Sequence, residues 1–443
     1  MFAKKTASQA LGKEIQLTDS ANGHALLNRN VFSPDSTWVV YDTRSADSNF
    51  DSCYIKKVHT KTRETQVLYE ARQNAKVGVA SYHPTKNKVA FIHGPVFPTP
   101  EYSYSATRRF GALLDETYPS KIQPIDARDV TAPFTPGALR GGTHVHVWHP
   151  DGSMMSYTYE DEVLEKISEE TISQEINIRN IGVTTFSKKI SVHPGERNHD
   201  GYFSVLVSKT TAQAKPGSDE IIKALEEGWI GTNGYLKADG QRQKKALAFQ
   251  GVVRGEAGNE FAEVFRLDLP EDLSQAADRP LEGTASLRPA PPKGTKQTRL
   301  TFTSNKKYPG IQGPRHWLRS HPDGSQIAYL AKDDAGIVQI WSVPTIGGEP
   351  TMLTQNAFSV QTAFDWSPDG HDLIYAADNS LFRTDLTEKT TIRLTEKSTD
   401  EDAILPFWVI YSPDGKKAVY LREAPAKDAP EKRYPQIFLY EFL

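Results

Sequence analysis

Two of the 12 histidines in the 443 residues, His144 and His146, stand two apart just ahead of the run Trp148-His149-Pro150-Asp151-Gly152. On a regular strand that spacing turns both imidazoles to one side. His316 lies six residues before Pro322, as His144 lies six before Pro150, so the two are expected in equivalent places. His199, in the run Arg197-Asn198-His199-Asp200-Gly201, falls near the same rim, as do His24, Asn28-Arg29-Asn30 and Gln361. Neutral imidazoles that converge from several elements are common ligands of Zn, Mn and Fe. The expected metal-ligand set is therefore His144, His146, His199, His316 and Gln361. The competing reading is bland: a His-X-His on a strand is also a hydrogen-bonded structural pair, and His83, His149 and His321 merely occupy turns. Arg140, Arg179, Arg197 and Arg315 read either as a rim for carboxylate or phosphate or as solvated surface.

A repeat must position these residues. An apolar run, then Ser or His followed by Pro-Asp-Gly, then a second apolar run recurs around Pro150, Pro322, Pro368 and Pro413, with weaker copies at Pro34 and Pro84. Proline fixes φ and glycine accepts positive φ, so each copy is a hairpin turn between strands. Ile340–Val343 and Phe265–Leu269 read as third strands, and Arg299–Thr301, Met352–Thr354 and Arg393–Thr395 as fourth strands. The last three turn prolines are 46 and 45 residues apart. Four strands per unit at that period predict an all-β propeller of four-stranded antiparallel blades. Seven blades are expected, starting near Asn28, Val77, Thr143, Tyr202, His316, Gln361 and Phe407, in one domain spanning 1–443. The irregularity of the second and fourth leaves six and eight open. The last blade shows three strands, Phe407–Tyr411, Ala418–Leu421 and Ile437–Phe442. Residues 14–18 read as its fourth, closing the ring and covering an exposed edge.

Three stretches exceed the repeat: Gly94–Arg140, Lys209–Lys245 and the proline-rich Pro270–Lys296. The second carries an expected helix, Ser218–Glu227, with Ser218 as N-cap and acidic residues in the first turn. Loops of this length are either functional or decoration.

Composition limits the function classes. Lys plus Arg is 52 against 55 for Asp plus Glu, a net charge of −3, so no basic footprint points to nucleic acid. Mean hydropathy is −0.53, and no apolar run is long enough to span a membrane. The single cysteine, Cys53, forbids an intrachain disulfide. A cytoplasmic location is expected, or a periplasmic one if a leader was removed before residue 1. No phosphate-binding Gly-x-x-x-x-Gly-Lys loop and no nucleophile-elbow serine is present.

The Ser-Pro-Asp-Gly hairpins followed by Leu-Thr strands resemble TolB-like, WD40-like propeller repeats across nearly the whole chain. Three segments, Asp126–His146, Arg197–Gly201 and Pro289–Thr295, resemble an uncharacterised bacterial family, the YidR-like proteins. That likeness carries a fold and no activity. Thr143-His144 before a Trp and a Pro-Asp-Gly turn is more distantly similar to a histidine strand of the oligogalacturonate lyases. The spacing to the turn differs by one residue, and no Gln-x-x-His-x-His segment is present. That resemblance implies a divalent metal in the channel, often Mn, with Zn or Ca as alternatives. It implies β-elimination on an acidic, uronate-containing oligosaccharide. A metal on the uronate carboxylate would acidify the α-proton, an imidazole such as His144 or His199 would remove it, and Arg140 and Arg315 would hold carboxylates. The TolB likeness implies something else: a non-catalytic scaffold that binds a protein or envelope component through its rim loops.

Overall fold

Each Pro-Asp-Gly turn joins an innermost strand to the second strand of a blade, and the turn is tied by its own side chains. The Asp carboxylates accept from Ser367 at 2.6 Å and Ser412 at 2.5 Å, and lie 2.7 and 2.6 Å from Nδ1 of His149 and His321. The computed structural model describes residues 12–46, 49–119, 121–170 and 176–443.

Seven antiparallel sheets form the ring, six of four strands and one of three. Blade one has Trp38–Asp42, Tyr54–His59 and Thr65–Glu70; its inner chain adds only the bridges Ala25–Asp42 and Phe32–Val39. Blade two runs Val77–Tyr82, Lys88–His93, Phe110–Asp115 and Ile122–Pro124. Blade three runs Gly141–Trp148, Met154–Asp161, Asn180–Ile190 and Gly201–Leu206. Blade four runs Ile221–Trp229, Ala246–Arg254, Glu260–Asp268 and Lys296–Arg299. Blades five and six open with the short strands Arg319–Ser320 and Asp365–Trp366. Blade seven has Ile410–Tyr411, Lys417–Ala426 and Ala429–Phe442, and Gly12–Gln16 pairs beside the last of these, from Gly12 opposite Phe442 to Gln16 opposite Phe438. The ring closes by the N-terminal strand as the repeat predicts, so the edge of the Ala429–Phe442 strand is covered. No helix among the described residues is long and apolar enough to cross a membrane.

Two expectations are corrected. Tyr202 does not begin blade four; it lies on the outermost strand of blade three, paired with the Asn180–Ile190 strand. The expected helix Ser218–Glu227 is instead the innermost strand of blade four. Ile221, Ala224 and Trp229 are buried there, and pairing with Ala246–Arg254 overrides the local helix signal. Ser218, the expected N-cap, caps a turn by donating to the Lys215 carbonyl at 2.6 Å. Propensity is a weak prior against a full sheet ladder.

Tryptophans and histidines near the turns lock neighbouring blades. Nε1 of Trp229 donates to the Val147 carbonyl of the preceding blade at 3.0 Å, Trp366 to Arg319 at 3.3 Å, and Trp408 to Leu26 across the closure at 2.9 Å. The turn histidines His83, His149 and His321 stand edge-on to Trp148, Trp229 and Trp366 of the next blade, at 4.6, 4.8 and 5.0 Å between ring centres. These histidines therefore do more than occupy turns. His149→Ala is expected to lower stability by about 1 to 2 kcal/mol through the lost aromatic contact and turn tie, read as a shift in urea midpoint at unchanged m-value.

The proline-rich stretch 270–295 is a strap rather than a free loop. It is tied to blade three and the segment after it, where its Thr284 carbonyl accepts from Nη1 of Arg140 and its Arg288 donates to Thr210.

Candidate active site at the strand-start mouth of the channel

The innermost strands begin at one mouth of the central channel and end, at the turns, at the other. In blades two, three and four the inner strand is broken by a β-bulge with a left-handed residue. These are Val79, Val145 and Glu226, with φ of 62°, 59° and 57°, each at a register shift. Such a φ is strained for any side chain and most of all for a β-branched one. Strain of this kind collects where side chains are aimed for function.

The bulge overturns the His-X-His expectation. Ser156 pairs with Val147 and Thr158 with His144, so Val145 and His146 share one opposing residue. The extra residue sends His144 and His146 to different sides. It also breaks the six-residue equivalence of His144 with His316, because blade five has no bulge there. His146 is fully buried toward blade two, with Nε2 3.0 Å from the Thr143 hydroxyl and 3.9 Å from Asp126. Gly111 makes room for it: a Cβ there would sit 2.4 Å from its Nε2. Burial raises the Asp126 carboxyl to about 6 and, with Arg109, lowers His146 to about 3.

The other expected ligands are committed to the fold. His199 Nε2 donates to the Asp126 carbonyl at 3.0 Å, and its ring packs on Phe110. His316 Nδ1 donates to the Pro314 carbonyl at 2.8 Å while Nε2 accepts from the Leu330 amide at 3.1 Å. Gln361 exchanges hydrogen bonds with Asn379 through both ends of its amide. Among the described residues no three His, Cys, Asp or Glu side chains gather into a metal-holding group. The predicted five do not assemble: His199, His316 and Gln361 are hydrogen-bonded to neighbouring strands and loops, and His146 binds the Thr143 hydroxyl through Nε2 inside a blade interface.

Arg140 is also structural. It is completely buried, paired with Asp161 at 2.7 Å and stacked over Phe134. Arg197 and Arg128 share the Glu162 carboxylate.

What remains at the mouth is a different constellation. Among the described residues the His144 ring makes no hydrogen bond, and its Nδ1 is buried without a partner. Burial first, then Arg109, Arg179 and Arg315, hold its pKa well below the usual imidazole value, so the ring is neutral. Arg109 and Arg179 both donate to Oε2 of Glu160, each at 3.2 Å. Arg315, half exposed, donates to Glu226 at 2.8 Å and covers Trp317. Burial pushes the Glu226 carboxyl up against the opposing pull of Arg315. Blades two to five thus contribute a neutral imidazole, three cations and two carboxyls to one mouth. Sequence reasoning named His144, Arg179 and Arg315 but missed Arg109, Glu160 and Glu226. Matching Trp229 to Trp148, each two residues before its turn, would have placed Glu226 beside Val145 and exposed the wrong helix.

Glu227, next along the bulge, is fully buried near the Ser156 hydroxyl, with neither oxygen hydrogen-bonded. Burial, reinforced by Glu226, raises its pKa well above 4.5. The unfolded chain releases this proton as pH rises past the ordinary value while the folded chain keeps it, so folding is penalised progressively toward neutrality. Glu227→Gln removes the penalty. The variant is expected to be close to wild type near pH 5 and more stable than it at pH 7. Denaturant midpoints at the two pH values check this.

Fold and mouth together define a class: a seven-bladed propeller with an acid–base and arginine cluster at the strand-start end of its channel. Among solved structures it is similar to an oligogalacturonate lyase in complex with manganese, with a TM-score of 0.52 and 12% identity over 98% of this chain and 99% of that one. It is also similar to an oligogalacturonate lyase from Vibrio parahaemolyticus, with a TM-score of 0.50 and 12% identity over 98% and 94%. These likenesses show the fold. The chain belongs to the YidR family: it is 40% identical over 411 residues to the uncharacterised protein YidR of Escherichia coli (strain K12), covering 90% of this chain and 93% of that protein. Residues 76–200, which carry blade two and most of blade three, match the family described as a protein of unknown function, DUF3748.

Proposed function

We propose that the strand-start mouth is a catalytic site for an acidic, uronate-containing oligosaccharide, cleaved by β-elimination with His144 as the base. The observation that carries this reading is the unpartnered His144 ring among three arginines, while the other candidate histidines are tied into the fold. A uronate carboxylate displaces Glu160 and Glu226 from Arg109, Arg179 and Arg315 and forms charge-assisted hydrogen bonds with them. Neutralising those arginines raises the basicity of the imidazole they now suppress. Substrate therefore switches on its own base. His144 takes the α-proton, the electron pair forms a double bond to the β-carbon, and the bond to the leaving sugar oxygen breaks. The leaving oxygen takes its proton from Glu226 in its protonated form, which burial favours against the pull of Arg315. Both similar lyases with this fold support the substrate class. One of them is a complex with manganese; among the described residues here no three His, Cys, Asp or Glu side chains gather to hold a metal.

The test is ultraviolet absorbance of the unsaturated product during incubation with short oligogalacturonates and other uronate oligomers, with and without added Mn, Zn or Ca. Turnover that disappears in His144→Ala supports the reading. Absence of turnover on every uronate tested overturns it and favours the protein-binding scaffold, for which Val96 and Phe97, 43% and 69% exposed on the long segment of blade two, are the anchor.

A further inference from the structure

The opposite mouth of the channel, where the inner strands reach their turns, holds a cavity of about 320 Å³ lined by residues of all seven blades. Its walls include Trp148, Trp229 and Trp366 with the turn prolines, and two charged side chains face it, Arg29 and Asp365. A mostly apolar concavity of this size with a few convergent polar groups is the usual form of a small-molecule site. The charges do not balance. Arg319, buried behind the wall, approaches Asp365 at 3.7 Å and donates to the Asn28 carbonyl. Asp365 also accepts from the Tyr411 amide at 3.2 Å. Arg29 makes no hydrogen bond or ion pair among the described residues. Two guanidiniums thus lie near one carboxylate, which is within ion-pair distance of Arg319 alone. Burial, with Arg319 adding repulsion, pulls the Arg29 pKa down, as expected of a cation short of a counter-charge. Arg29 is partly buried at the cavity wall, and a partly desolvated cation without a direct partner is a ready site for an anion.

We propose that this turn-side cavity binds a small organic carboxylate, its acid group paired with Arg29 and its apolar body against the tryptophan and proline wall. The site is separate from the His144 mouth and does not depend on the catalytic reading. The apolar lining favours an organic acid over inorganic phosphate, which would leave the tryptophans unused. Arg29 offers a planar fork that a carboxylate matches. Asp365 sets the limit of one negative charge, because a second would meet a like charge with only Arg319 between them.

Benzoate is the probe, titrated calorimetrically and by tryptophan fluorescence into the full chain, with inorganic phosphate in parallel. Saturable one-site binding of benzoate is expected, weakened about tenfold or more in Arg29→Gln, equivalent to about 1.4 kcal/mol. Tighter binding is expected in Asp365→Asn, which removes the competing carboxylate, and unchanged binding in His144→Ala. The opposite signs of the two channel variants separate recognition from loss of fold, which thermal melts of each also monitor. No saturable binding, equal binding by Arg29→Gln, or phosphate binding as tightly as benzoate overturns the proposal.

Discussion

In His144→Ala, turnover of a uronate oligomer is expected to fall by roughly 10²- to 10⁴-fold, the usual contribution of a positioned general base, with the fold intact or slightly more stable. The stability half of this expectation separates a functional residue from a structural one. Among the described residues His144 makes no ring hydrogen bond, and its surroundings, three arginines and a buried wall, oppose its protonation. Truncating it removes an unpaired polar group rather than a tie. His316→Ala is the contrast. It cuts a bond to Pro314 and one from the Leu330 amide and empties a buried ring site, at a cost of about 2 to 4 kcal/mol. Melts of both variants beside product absorbance decide the matter. A His144→Ala protein with full turnover, or one destabilised as much as His316→Ala, contradicts the assignment.

Acidification is expected to unfold the propeller near pH 5. Burial lowers His24 and His316 to about 4, and His146 and His199 to about 3. Below pH 6.5 the unfolded chain takes up protons at these four sites while the folded chain does not, so stability falls as pH falls through the window from 6.5 to about 4. Each site contributes up to about 1.4 kcal/mol per pH unit, and a domain holds only about 5 to 15 kcal/mol in total. Asp126, raised to about 6, and the raised carboxyls of Asp42, Glu226, Glu227, Asp372 and Glu423 act in the opposite sense, but His83, His93, His144 and His149, also lowered by burial, add to the loss. Urea midpoints from pH 7.5 to 5 check the expectation: a steady decline beginning near 6.5 supports it, and a flat profile contradicts it.

The propeller was legible because its punctuation is local. Pro-Asp-Gly fixes a turn within a few residues, alternating apolar strands flank it, and the spacing of Pro322, Pro368 and Pro413 repeats the unit. The closing strand was legible for the same reason, since Ile15–Thr18 looks like the fourth strands seen elsewhere. Blade four was misplaced because it lacks the proline and because Ser218-Asp219-Glu220 imitates a helix start. Only pairing with Ala246–Arg254 overrides that signal.

By itself the sequence determined the architecture, the way the ring closes, and that His144 lies on an inner strand, and it pointed to seven blades while leaving six and eight open. Tertiary structure alone decided which histidine is free. One inserted residue at Val145 sends His146 into a blade interface and leaves His144 at the mouth, and no residue count reveals a bulge that strand pairing creates. The arginines around His144 come from three blades: Arg109 and Arg315 are 206 residues apart, with Arg179 between them, and their convergence depends on ring closure. The same holds for Arg29, Arg319 and Asp365 at the other mouth, brought together from blades one, five and six. Turns and strands are short-range features written in neighbouring residues, whereas the charge environment of a channel is a property of the closed ring.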